Sequence, residues 1–90
     1  MEKIMWRGKN SPQDMVDVIH ESVKTERQFI IVADNDKWII SIRDGEIRLA
    51  KYETPDLGTT FSDGNHSKQN ILSMLDFITG WIACKEWNNK

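Results

Sequence analysis

Two turn signals in the middle of the chain separate three extended segments. Residues 34–36 are Asp-Asn-Asp and residues 44–45 are Asp-Gly, types that tolerate the backbone of a tight reversal. The segment 28–33 is rich in β-branched and aromatic residues, and the segments 37–43 and 46–52 alternate between faces. The sequence therefore predicts a three-stranded antiparallel meander.

A helix is predicted over residues 12–26, before the meander. Ser11 supplies a capping hydroxyl, and Pro12 suits the first helical position. Apolar residues then recur at the three- and four-residue spacing of an amphipathic helix: Met15, Val16, Ile19 and Val23.

A second helix is predicted to start after a cap at Ser67 and to continue toward Trp87. It carries a broad apolar stripe: Ile71, Leu72, Met74, Leu75, Ile78, Trp81 and Ile82. Gly80 weakens this helix by about 1 kcal/mol relative to alanine. The glycine either lets another backbone approach closely or marks an early helix end.

These elements predict one small α+β domain over residues 1–90, in the order (β)αβββα. Both helices pack on one sheet face, over Trp38, Ile40, Ile42, Ile47 and Leu49. Residues 3–7 add a short N-terminal strand if they are extended. Residues 53–66 are expected to be an irregular acidic loop, within which residues 59–62 are a candidate edge strand.

Composition and charge exclude several classes of protein. A hydrophobic content of 39% predicts a folded chain, and a net charge of -2 lacks the basic excess of a general nucleic-acid binder. The single cysteine, Cys84, cannot form an internal disulfide, and no signal peptide or membrane span is recognised. We therefore expect a cytoplasmic protein without membrane contact.

Catalytic and metal chemistry are not expected. Cys84 lies on a hydrophobic helix and is predicted to be a core residue rather than a nucleophile. The acidic and imidazole groups of residues 63–67 are interpreted as a loop and helix cap. Zinc-ligand spacing, phosphate-binding loops and calcium-loop patterns are absent, so neither cofactor nor enzyme activity is predicted.

The sheet face opposite the helices is the main candidate for binding. Lys37, Arg43 and Arg48 are predicted to lie there near Ile39 and Tyr52, combining positive charge with apolar area. Such a face binds acidic proteins or phosphates, or it is simply a solvated surface with cross-strand charge pairs. The residues alone leave both interpretations open.

Trp81 and Trp87 lie about 120° apart on an ideal helix, so both cannot face the same core. Trp87 is therefore expected to be exposed, as tryptophans at binding hot spots often are.

The order of a helix, three strands and a helix resembles double-stranded-RNA-binding domains. Their final helix begins with a basic cluster, and Lys68 lies at that place. Gln69, Asn70 and Ile71 follow it instead of further lysines. The resemblance concerns topology alone, and no family motif is identified.

The leading hypothesis is a small, intracellular, non-enzymatic protein that binds a protein partner, like the inhibitors and antitoxins that phages and mobile elements encode. It follows from the lack of a catalytic pattern and from a surplus of tryptophan. A homodimer is a companion hypothesis. The candidate partner-binding residues are Trp87, Tyr52, Arg43, Arg48, Lys37, Asp56 and Asp63.

Two alternatives are kept open. The first is a nucleic-acid-binding module, in which Lys37, Arg43 and Arg48 contact phosphates while Tyr52 stacks on a base. The second is a small-molecule sensor that holds its ligand between the loop at 53–66 and the final helix.

Overall fold

The part of the chain that the structure describes forms five strands and two helices. The computed structural model describes residues 2–6, 11–33, 35–43, 46–61 and 68–88. The elements are β1 (Glu2–Trp6), α1 (Pro12–Thr25), β2 (Gln28–Ala33), β3 (Asp36–Arg43), β4 (Glu46–Lys51), β5 (Gly58–Phe61) and α2 (Lys68–Asn88).

The strands form one mixed sheet in the order β1-β2-β3-β4-β5. Strands β2 to β5 pair antiparallel in chain order, whereas β1 pairs parallel to β2 after the chain has passed through α1. The predicted α+β class and the meander of β2, β3 and β4 are confirmed. The sheet is larger than the three predicted strands: the N-terminal strand considered for residues 3–7 is present as β1, one residue earlier, and β5 extends the other edge.

Residues 53–66 were predicted as an irregular loop, and this was partly wrong. Residues 58–61 form the edge strand β5, one residue earlier than the candidate strand at 59–62. The buried Asn70 of α2 fixes this strand, since its Nδ2 atom donates to the Phe61 carbonyl at 3.0 Å. Residues 62–67, including the predicted Ser67 cap, lie outside the described residues.

Local chemistry explains where α1 begins and ends. The Asp14 N–H donates to Ser11 Oγ, and the Ser11 N–H donates to the Asp14 carboxylate, so two exposed amides are satisfied reciprocally. Pro12 occupies the first turn as predicted. The helix ends at Thr25, because the next residue, Glu26, adopts extended backbone angles.

The turn predicted between β2 and β3 is present. Asn35 has a φ of 71°, in the left-handed region that asparagine tolerates better than most residues. The Asp-Gly pair between β3 and β4 lies outside the described residues.

The hydrophobic core lies between the two helices and one face of the sheet. Trp38, Ile40, Ile47 and Leu49 are buried there as predicted, while Ile42 is only partly buried. The opening strand contributes Ile4 and Trp6, which are also buried. The buried side of α1 consists of Ser22 and the four apolar residues that the spacing predicted: Met15, Val16, Ile19 and Val23.

The C-terminal half of α2 departs from the predicted pattern. After Ile78, the helix has no buried residue among those whose side chains are described. Trp87 is 75% exposed as expected, but Trp81 is also 46% exposed. Cys84 was predicted to be a core residue and is instead exposed, because it lies about 120° around α2 from the buried Ile78.

Candidate interaction surface

One face of the sheet has no helix packed on it, and we call it the open face. The alternation of side chains along the paired strands assigns residues to it. Ile30 and Ala50 support this assignment, since both are buried yet neither belongs to the core cluster beneath the helices. Its charged members are Lys3, Lys37, Arg43, Glu46 and Arg48.

The centre of the open face is apolar and aliphatic. The strand register places Ile30, Ile39 and Ala50 side by side across β2, β3 and β4. Val32 lies in the next row beside Met5, which is 54% exposed. An apolar strip therefore crosses the middle of the sheet on the side away from the helices, and Met5, Val32 and Ile39 are its members with exposed surface.

Positive charge surrounds this strip. The described part of the open face carries four cations, Lys3, Lys37, Arg43 and Arg48, and one acid, Glu46, which lies directly opposite Arg43. The whole chain has a net charge of -2. The positive charge is thus concentrated on one face of a slightly acidic protein, and that arrangement creates a directed field.

Tyr52 lies at the margin of the open face, in the turn that follows β4. Its N–H donates to the Lys37 carbonyl at 3.0 Å. The Lys37 Nζ lies 5.7 Å from the centre of the Tyr52 ring, within the range of a cation–π contact. Tyr52 is about half exposed, so an incoming molecule can reach the ring.

The guanidinium of Arg48 lies over Gly58 of the edge strand, in the space left by the missing side chain. A Cβ atom on Gly58 would lie 2.5 Å from Arg48 Cζ and 2.7 Å from its Nε. The guanidinium therefore occupies the space that any other residue at position 58 would fill. The sequence gives no sign of this contact, because it depends on the pairing of β4 with β5.

The structure places four of the predicted site residues on or beside one face of the sheet: Lys37 and Tyr52 at one end, Arg43 at the other and Arg48 between them. Trp87 does not join them, since it lies near the end of α2 in the helix layer. Asp56 is exposed in the connection between β4 and β5, where the Leu57 N–H donates to the Thr54 carbonyl. Asp63 lies outside the described residues.

A second polar cluster, which the sequence analysis missed, lies under the end of α2. Asp36 pairs with Lys51 at 3.0 Å and with Lys85 at 3.2 Å. The Lys51 Nζ also lies 5.0 Å from the ring centre of Trp38 and 5.8 Å from that of Trp81. In the sequence, strand alternation is the one pattern that indicates this cluster, because it places Lys51 on the core-facing side of β4.

The two lysines determine the charge state of Asp36. Burial disfavours its carboxylate, but the hydrogen bonds and positive charges of Lys51 and Lys85 outweigh burial and lower the pKa of Asp36. This cluster ties the first residue of β3 and the last residue of β4 to the last turns of α2.

The helix layer has an ion pair of its own. Lys68 Nζ lies 2.8 Å from the Asp17 carboxylate and joins α2 to α1. Both side chains are mostly exposed, and the hydrogen bond from Lys68 lowers the pKa of Asp17. A shallow depression lies beside this pair, between Gln13, Val16, Asp17, Lys68, Gln69 and Leu72. It lies between the two helices rather than at the loop site proposed for a sensor.

Comparison with protein-family models, with curated proteins and with solved structures finds no match to this chain. Over the described residues, neither helix is long and apolar enough to cross a lipid bilayer. In the same part of the chain, His, Cys, Asp and Glu side chains do not gather into groups of three that could hold a metal ion.

Proposed function

We propose that this protein is a non-enzymatic binding module whose open face docks on a protein partner with an acidic rim. The observation that carries the proposal is the composition of that face: an aliphatic centre surrounded by four cations and one acid. Protein interfaces combine an apolar centre with a polar rim in this way. The cations select for acidic side chains on the partner and guide its approach.

The centre of the face favours a protein over a single-stranded nucleic acid. Nucleic-acid platforms use several aromatic rings on which successive bases stack. The centre of the open face instead holds Ile30, Val32 and Ile39, while Tyr52 lies at the margin. Aliphatic side chains bury apolar protein surface well but provide no stacking surface for bases.

Charge reversal at Arg43 and Arg48 tests the proposal. We expect the double variant Arg43→Glu/Arg48→Glu to weaken partner binding about tenfold or more, because two attractive rim contacts become repulsive. The protein is immobilised and used to capture partners from nuclease-treated lysate. The captured protein is then purified and titrated against wild type and variant at two salt concentrations.

The double variant Lys24→Glu/Lys68→Glu is the matched control, since it makes the same change of charge at two exposed lysines of the helix layer. It should bind the partner as tightly as the wild type does. A partner that binds the arginine double variant and the wild type equally would contradict the proposed face. Binding to a labelled oligothymidine or oligouridine that is stronger than to any captured protein would instead favour the nucleic-acid alternative.

Gly58→Ala tests whether the position of Arg48 matters. The added methyl group displaces the guanidinium, and the flexible arginine can move at little cost to stability. We therefore expect a nearly unchanged melting temperature and a partner affinity close to that of Arg48→Ala. The control is Thr59→Ala, which changes the neighbouring residue on the opposite face of β5. Wild-type affinity in Gly58→Ala would show that the position of Arg48 over Gly58 is irrelevant to binding.

A further inference from the structure

The exposed side of the last turns of α2 presents an apolar surface, which we call the α2 stripe. It consists of Phe77, Gly80, Trp81, Cys84 and Trp87, all of which are exposed. At about 100° per residue, these five positions fall within an arc of about 120° of the helix. The stripe is therefore one continuous surface.

Neighbouring elements hold the stripe in place without covering it. The ring of Phe77 packs edge-on against Trp38 and Phe61, and the ring of Trp81 packs edge-on against Trp38 at 5.7 Å. Phe77 is nevertheless 42% exposed. Aromatic rings that are rigid and still exposed lose little conformational entropy when a partner covers them.

Contacts among the described residues do not explain Gly80. A Cβ atom at this position would have no heavy atom of the described part of the chain within 4 Å. Glycine in a helix interior costs about 1 kcal/mol relative to alanine, so alanine would fit here and strengthen the helix. A glycine on an exposed helix face allows the backbone of another helix to approach closely.

Charge distinguishes the partner of the stripe from that of the open face. The stripe has no charged member; beside it, Lys85 is turned to Asp36, and the exposed Asp76 lies one turn before Gly80. A two-fold contact places each patch against its own copy, so an uncharged patch suits it and a patch of like charges does not. The open face, with four cations and one acid, would repel itself.

We infer that the α2 stripe is a homodimer contact, in which the α2 helices of two copies of this chain cross near Gly80. The large rings of Trp81 and Trp87 in one copy pack beside the glycine of the other. Such packing of large against small side chains brings helices close and buries aromatic area. The open face lies on the other side of the sheet and stays accessible, so this inference does not depend on the proposed function.

Sedimentation equilibrium of the pure protein tests the inference. We expect a dimer for the wild type and a dissociation constant at least about tenfold higher for Trp87→Glu and for Gly80→Leu. The matched control is Leu57→Glu, because Leu57 is 76% exposed and Trp87 is 75% exposed, but Leu57 lies in the connection before β5. This control should remain dimeric.

Gly80→Ala separates folding from assembly. The alanine meets nothing within the described part of its own chain, so we expect the monomer to melt at a higher temperature. The same methyl group enters the helix crossing, so the dimer should dissociate more readily. A monomeric wild type at every concentration would overturn the inference, as would a dimer that persists in both Trp87→Glu and Gly80→Leu.

Discussion

Trp38→Ala is expected to unfold most of the protein at room temperature in mild denaturant. Trp38 is 2% exposed and is among the largest fully buried side chains. Replacing a buried tryptophan by alanine costs about 3 to 5 kcal/mol, through lost burial and the cavity that is left. A chain of this size has a total stability of roughly 5 to 13 kcal/mol. Urea unfolding followed by circular dichroism gives the difference directly.

The variant Trp38→Phe separates the contribution of the buried ring to stability from that of its indole N–H. The indole Nε1 of Trp38 is buried without a hydrogen-bond partner among the described residues. An unpaired buried N–H is unfavourable, so removing it offsets part of the lost ring area. We therefore expect Trp38→Phe to cost about 1 to 2 kcal/mol, well below the cost of alanine. Equal losses in both variants would show that the indole N–H, rather than ring burial, stabilises the fold.

Acidification is expected to destabilise the protein through Asp36. Its folded pKa is lowered by Lys51 and Lys85, so the unfolded chain takes up the proton at a higher pH than the folded one. The stabilisation is present above the ordinary aspartate pKa, near 3.9, and is lost as the pH falls through the folded pKa. Asp36→Asn should cost about 1 to 2 kcal/mol at neutral pH, because two charge-assisted hydrogen bonds are weakened.

Urea unfolding from pH 7 to pH 3 measures this effect in wild type and Asp36→Asn. The variant should show a shallower loss of stability in the acid range, since one of the contributing carboxylates is gone. Asp17→Asn is the matched control, because its pKa is also lowered by a lysine but both side chains are mostly exposed. Exposed pairs contribute little to stability. Parallel pH profiles for Asp36→Asn and the wild type would contradict the assignment.

Local patterns predicted most of the fold. The Ser11 and Pro12 start of α1 and the alternation of residues in β3 and β4 depend on neighbours in sequence, and all three were found. The orientation of β1 was not predictable, because its parallel pairing with β2 depends on the path of the chain through α1. The strand β5 has three exposed residues and one partly buried residue, too little burial to produce a recognisable pattern.

The candidate surface was predicted only in part, because local spacing shows which side chains share a face but not which separate elements touch. The alternation of side chains along a strand is enough to place Lys37, Arg43 and Arg48 on one face. The contact of Arg48 with Gly58 and the cluster at Asp36 join separate elements, so no local spacing could reveal them. The prediction for Cys84 was wrong because it relied on apolar neighbours in the sequence, whereas helical spacing places Cys84 about 120° from the buried Ile78.

The agreement between sheet order and chain order also bears on how the molecule folds. β2 pairs with β3, β3 with β4, and β4 with β5. Bringing together segments that are so close in the sequence costs little entropy. The pairing of β1 with β2 and the packing of α1 against α2 join segments that lie much further apart. During synthesis, β1 is made before α1 and β2, so its partner strand in this sheet is missing until β2 has followed.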